Sequence, residues 1–242
     1  MSLPLIRPDW PAPARVQACV TTRLGGVSAA PFGAFNPAGH VGDDPAAVAQ
    51  NRTLLRAALP AEPVWLDQVH GCDVIDADAA AGGTADASLA RRPGRVCAVL
   101  TADCLPVLMC DAQGATVAAV HAGWRGLAGG VLENAVARMG CEPCGVMAWL
   151  GPAIGPAAFE VGPEVRAAFT ARLPDAGAAF HPGRGDRLHA DIYLLARLAL
   201  AGAGVTEVFG GGLCTVTQAG LFHSFRRDGR CGRMASLIWL RE

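Results

Sequence analysis

The sequence predicts an α+β sandwich with mixed sheets. Many apolar runs are of strand length, about four stretches carry helical spacing, and the two kinds do not alternate strictly, which argues against a doubly wound parallel sheet. Hydrophobic residues make up 52% of the 242 and charged residues 17%, enough apolar material for a sizeable core. No repeat, low-complexity linker or composition shift marks a boundary, so residues 1–242 are expected to form a single domain.

In chain order, residues 16–22 read as a strand and 23–28 as a turn. Asp44 and Pro45 then start a helix with Val48, Leu54, Leu55 and Leu59 on its apolar side and Pro60 as the stop. Asn51 and Arg52 lie in that helix, where residues of their type usually form a solvated face. Residues 64–70 read as a strand ending at His70, 72–75 as another strand, and the Ala-, Gly- and Asp-rich stretch 77–93 as a loop. Strands are expected at 96–100, 105–109 and 116–120, then one helix over 127–139 with Leu127, Val131, Leu132, Ala135, Val136 and Met139 on a buried face. Cys141 and Cys144 stand in a connecting loop without a second such pair, which favours incidental cysteines over a redox or structural zinc motif. A strand at 146–150, a helix at 163–173, a polar loop with His181 and His189, a helix at 191–200 and strands at 205–209 and 235–240 complete the chain. Residues 222–229 form a charged loop before the last strand.

Charge and composition narrow the function. The formal net charge is -1 with no basic patch, so no nucleic-acid partner is expected. All 20 Lys+Arg residues are arginine, which removes Schiff-base catalysis, a Walker lysine and any lysine base. The 9 cysteines form no even disulfide framework, prolines and Asp9 interrupt the N-terminal stretch, and no apolar run reaches the roughly 18 residues of a membrane span. A cytoplasmic protein with no membrane partner is the expectation.

The densest chemistry lies between residues 96 and 130. Cys104 sits in a polar break between two apolar runs, and His121 ends a third, just before a glycine-rich turn. With His70 they give a thiolate and two imidazoles at expected strand ends. Three protein ligands and an open fourth position are the pattern of a catalytic zinc, and the same donors also suit copper.

Several segments together resemble the YfiH/YlmD family, long described as laccase-domain or multicopper polyphenol oxidase proteins. They are TTRLGGVS from Thr21, HVGDDP from His40 with Asn51 and Arg52, WLDQVHG from Trp65, TADCLPVL from Thr101, AAVHAGWRGLAGGV from Ala118, LGPAIGP from Leu150 with AFEVG from Ala158, and the segment from Phe222 to Leu240. The resemblance covers nearly the whole chain. It implies a layered α/β/β/α fold and one zinc held by His70, Cys104 and His121. It further implies phosphorolysis of adenosine, inosine, guanosine and methylthioadenosine, with adenosine deamination as a second activity. Deamination needs a water able to attack C6 of the purine, which a metal with an open position can activate. Phosphorolysis needs an anion held beside C1′ while positive charge grows on the sugar. Candidates for holding phosphate or ribose are Arg52, Arg125, Arg226 and Arg227, with Gln68 as a polar partner and His40 and Asp103 as acid/base groups. Asp103 could equally orient a metal-bound histidine. The chain departs from the family pattern at Phe225, where tyrosine is common, at Cys231, where threonine is common, and at Pro37 and Ala38 in place of Leu-Gly.

Rival classes stay in view. A multicopper oxidase needs His-x-His pairs, and the 6 histidines form none, which leaves at most a laccase-like single copper. A cytidine-deaminase-type zinc enzyme needs H-x-E and P-C-x-x-C, both lacking here. A cysteine hydrolase with Cys104 as nucleophile and His121 as base uses the same residue types. A role in cell-wall precursor editing or a binding function is the further alternative.

Overall fold

In the computed structural model, which describes residues 3–242, fifteen strands and six α-helices form. The strands are Leu5–Ile6 (β1), Val16–Thr21 (β2), Pro63–Asp67 (β3), Val74–Asp76 (β4), Gly82–Thr84 (β5), Ala87–Ala90 (β6), Val96–Thr101 (β7) and Leu105–Asp111 (β8). They continue with Val117–Ala122 (β9), Val146–Leu150 (β10), Glu160–Val161 (β11), Phe180–Pro182 (β12), Leu188–Ala190 (β13), Glu207–Gly210 (β14) and Met234–Leu240 (β15). The helices are Pro45–Arg56 (α1), Trp124–Gly129 (α2), Val131–Met139 (α3), Pro163–Thr170 (α4), Ile192–Gly202 (α5) and Phe225–Asp228 (α6).

Two six-stranded mixed sheets dominate, ordered β1-β2-β15-β7-β3-β5 and β14-β10-β8-β9-β6-β4. Strand alternation sorts the apolar residues into layers. Val99 of β7, Leu108 of β8, Ala119 of β9 and Ile238 of β15 meet between the sheets. On the outer face of the first sheet, Ala98, Leu237 and Trp239 pack with Leu55 of α1. On the outer face of the second, Val107, Val120 and Ala148 pack with Leu132 of α3 and Leu195 of α5. The layers therefore run helix, sheet, sheet, helix, as expected.

Four local readings change. Residues 77–93 contain β5 and β6, because pairing of β6 between β4 and β9 overrides the weak strand preference of an Ala-rich stretch. The helix expected at 127–139 is two, α2 and α3, separated by Gly130 in the left-handed conformation (φ 101°). His181 and His189 face each other across β12 and β13 rather than lying in a loop. The 222–229 segment holds α6, whose N-cap Ser224 accepts the Arg227 N–H.

Helix α1 starts as the sequence indicates, with Asp44 accepting from the Ala46 N–H, and ends at Arg56. Asn51 is no part of a solvated face. It is fully buried, donates to Ser28 Oγ and the Asn36 carbonyl, accepts from the Val27 N–H, and so ties the 27–36 loop to the helix.

Candidate metal centre

The chain crosses from the first sheet to the second three times at one rim: after β3 at residues 68–73, after β5 at 85–86, and after β7 at 102–104. Each crossing brings a chemical group. The first carries His70, the second Asp86, the third Cys104. His121 joins them from β9 itself, where alternation with Val117 and Ala119 turns it toward the gap between the sheets.

His70, Cys104 and His121 offer ligand atoms that all lie within 4.8 Å of one another. Cys104 Sγ is 3.7 Å from His70 Nε2, close to the edge of a tetrahedron built on metal bonds of about 2.3 Å to sulfur and about 2.0 Å to nitrogen. The two imidazole rings meet edge to face at 4.8 Å. His70 is exposed, Cys104 half-buried and His121 buried at 3%.

Asp86 organises this set. Its Oδ1 accepts from the His70 N–H (2.9 Å) and lies 2.7 Å from His121 Nδ1, while Oδ2 accepts from Val69 (3.2 Å) and Gly71 (2.6 Å). With Nδ1–H donated to a carboxylate, His121 keeps the Nε2 lone pair for a metal. Burial pushes the Asp86 carboxyl up, but the bonds from His121, Gly71 and Val69 outweigh it and hold it below its usual value. Burial likewise lowers His121, yet Asp86 and Cys104 raise it overall. Burial raises the Cys104 thiol, and His121 and His70 bring it down below its ordinary range. The donor set fits a borderline cation such as zinc, with a thiolate and two oriented imidazoles. The backbone leaves room for no more: a Cβ on Gly123 would stand 2.6 Å from His70 Cδ2 and 3.2 Å from Cys104 Sγ.

Two cavities flank the triad. One, of about 290 Å³, is lined by His40, Gln68, Thr101, His121 and Arg233 among others. The other, of about 300 Å³, is walled by Asp103, Trp124, Arg125, Ile154, Phe159 and Arg226. Phe225 lines both and is 60% exposed.

The remaining expected site residues divide accordingly. His40 faces the first cavity, its pKa lowered by burial and by Arg233 and Arg52 against Asp67. Gln68 is there too, but its amide pairs with both backbone groups of Leu100. Asp103 does not orient a histidine; that place belongs to Asp86. Its carboxylate accepts from Thr215 Oγ1 (2.5 Å) and the Arg226 N–H (2.7 Å). Arg125 stacks on Trp124, and Arg226 reaches the Ala158 and Glu160 carbonyls. Arg52 and Arg227 line neither cavity. Arg52 bonds the Pro37 carbonyl and covers Trp65, and Arg227 bonds the Thr215, Val216 and Phe222 carbonyls. Asp86, Thr101, Trp124, Phe159 and Arg233 were not picked out by the sequence reading. Of these, only Asp86 lies outside the segments that stand out in the sequence.

Fold and site define an α+β sandwich protein with one candidate mononuclear metal centre on its rim. Residues 17–241 match the family model described as multi-copper polyphenol oxidoreductase laccase, and the chain belongs to this family, that of YfiH and YlmD. A protein of Pseudomonas aeruginosa named purine nucleoside phosphorylase is 56% identical over 98% of both chains. The purine nucleoside phosphorylase YfiH of Escherichia coli is 55% identical over 98% of both. The crystal structure of a Neisseria meningitidis protein superposes with a TM-score of 0.94 at 49% identity, covering 98% of this chain and 99% of that one. YlmD from Geobacillus stearothermophilus gives 0.91 at 32%, covering 98% and 96%.

Proposed function

We propose that the chain is a zinc-dependent purine nucleoside phosphorylase acting on adenosine, inosine, guanosine and methylthioadenosine, with adenosine deamination as a second activity. The observation that carries this reading is the His70–Cys104–His121 triad, oriented by Asp86 and open to a cleft on either side. The names of the relatives support the same reaction class. Zinc held there would act as a Lewis acid and lower the pKa of water from about 15.7 towards about 7.

The protein's own part is positional. In phosphorolysis a phosphate oxygen bonds to C1′ as the C1′–N9 bond breaks, and the bonding pair leaves with the purine, which takes up a proton. Asp103, at the wall of the aromatic cavity, is the acid/base group of this side, and in its carboxylic acid form it would give that proton to the base and be left as the carboxylate. His40 serves as the acid/base group of the opposite cavity. The flat walls of Trp124 and Phe159 suit a purine ring. Arg125 and Arg226 stand beside it as donors. In deamination, water adds at C6 and ammonia leaves from the same carbon.

Purified zinc-loaded protein is incubated with adenosine, with and without phosphate. Adenine and ribose-1-phosphate appear only with phosphate, and inosine marks deamination. Absence of all three sinks the reading. A second reading rests on the Cys104 thiol, brought down by His121 and His70, which is also the arrangement of a cysteine hydrolase. Metal analysis separates the two, because stoichiometric zinc occupies the thiolate. A laccase-like role with several coppers finds one cluster of three ligands among the described residues, enough for a single ion.

A further inference from the structure

We propose that the phosphate binds in the His40-side cavity, on the Thr101 hydroxyl, the His40 ring and the free edge of the Arg233 guanidinium, leaving the Trp124–Phe159 cavity to the purine. This rests on the reading of the chain as a nucleoside phosphorylase and adds Thr101 and Arg233 to its site.

Thr101 carries the argument. It is 1% exposed, lines the cavity, and its Oγ1 is buried without a hydrogen-bond partner among the described residues. A hydroxyl left so is destabilising, and a ligand oxygen would supply the missing partner. It ends β7 on the face of Cys97 and Val99, between the sheets, so it opens onto the same slot as His121.

Its neighbours have donors to give. Arg233 uses Nη1 on the Cys231 and Gly232 carbonyls, which fixes the guanidinium and leaves Nε and Nη2 without a hydrogen bond among the described residues. His40 makes no hydrogen bond among the described residues. Arg233 lines the same cavity and brings its guanidinium charge to it, which favours an anion. The opposite cavity is less favourable to one, because Asp103 puts a carboxylate in its wall.

The test is steady-state phosphorolysis with phosphate and nucleoside varied separately, together with calorimetric titration of inorganic phosphate alone. Thr101→Val keeps the shape of a β-branched strand residue and removes only the unpaired hydroxyl, so Tm should hold or rise. The expected result is a phosphate KM raised about tenfold, the loss of one hydrogen bond to a charged group, with the nucleoside KM unchanged. Thr101→Ser should restore it, and Arg233→Met should raise phosphate KM further. Unchanged phosphate KM in Thr101→Val, with a rise in Arg125→Met instead, overturns the assignment while phosphorolysis itself stands. If no phosphorolysis occurs, the functional reading falls, and calorimetry still decides the site. Phosphate heat lost in Thr101→Val upholds it, and no heat in the wild type or equal heat in both overturns it.

Discussion

The two histidines of the triad stand on opposite kinds of scaffold. His121 lies within β9, buried, its position fixed by ladder bonds and by pairing opposite Pro106. His70 lies three residues beyond β3, exposed, with a left-handed backbone (φ 59°). One is positioned by a sheet and the other by a corner. What equalises them is Asp86, which bonds the ring of the first and the main chain of the second. A metal site needs both its ligands equally well placed, and here a single buried carboxylate does for the loop what hydrogen-bonded strands do for the wall.

Removing that carboxylate is the strongest way to break the comparison. Asp86→Ala leaves the His121 Nδ1–H and the N–H groups of Val69, His70 and Gly71 without their acceptor. We expect a loss of about 3–5 kcal/mol, a Tm lower by several degrees, and zinc content far below one per chain. Normal Tm with full zinc would show that the corner holds itself.

Cys104→Ala tests the centre while sparing both scaffolds. Stoichiometric zinc and both activities should vanish, while urea unfolding of the metal-free protein moves by about 1 kcal/mol or less, since the thiol is only half-buried. Phosphorolysis retained in this variant would defeat the metal-dependent mechanism.

Gly123→Ala presses hardest on the corner, and more lightly on Cys104. The added methyl lies nearest the His70 ring, so the flexible side should yield and zinc affinity should fall about 10–100-fold, measured by competition with a chelator. Unchanged affinity would mean that His70 has more freedom than its pinned backbone suggests.

Acid gives the smallest effect and isolates a third histidine outside both regions. His223 is fully buried, donates to the Phe35 carbonyl, and is held down to about 4, by burial first and then by Arg23 and Arg233 against that bond. The unfolded chain therefore binds this proton first. Its contribution is complete above the unfolded value of 6.5 and fades as pH falls towards 4, so about 1 kcal/mol should be lost between about pH 7 and about pH 5.5. Urea midpoints of metal-free protein at the two pH values measure it, and His223→Gln should flatten the slope.

The contrast between sheet and corner also governs what the sequence discloses. Strands β7, β8, β9 and β15 are apolar and buried on both faces, so they stand out as continuous runs, and Cys104 and His121 stand out at their ends. His70 is noticeable as a histidine before a glycine, but its corner is not, because a crossing between sheets has no period of its own. Asp86 is one acid in an Ala-rich stretch read as loop, and nothing local marks it as the partner of a histidine 35 positions on. Arg52 and Arg227 look like anion ligands by residue type, yet both cover backbone carbonyls, a use that only the fold decides. Thr101 is recognisable only once its hydroxyl is seen to lack a partner.

His70 and Asp103 are the two residues other than glycine with left-handed backbone among those described, and both stand at crossings on the rim of the candidate metal centre. Each such conformation costs about 1–3 kcal/mol in a residue with a side chain. Glycine at 70 would relieve that cost, whereas glycine at 103 would leave Thr215 Oγ1 and the Arg226 N–H without their acceptor. The chain instead keeps an imidazole and a carboxylate there, so the rim of the candidate metal centre carries side chains where the backbone alone would favour none, and glycine at 70 would exchange a candidate ligand for backbone ease.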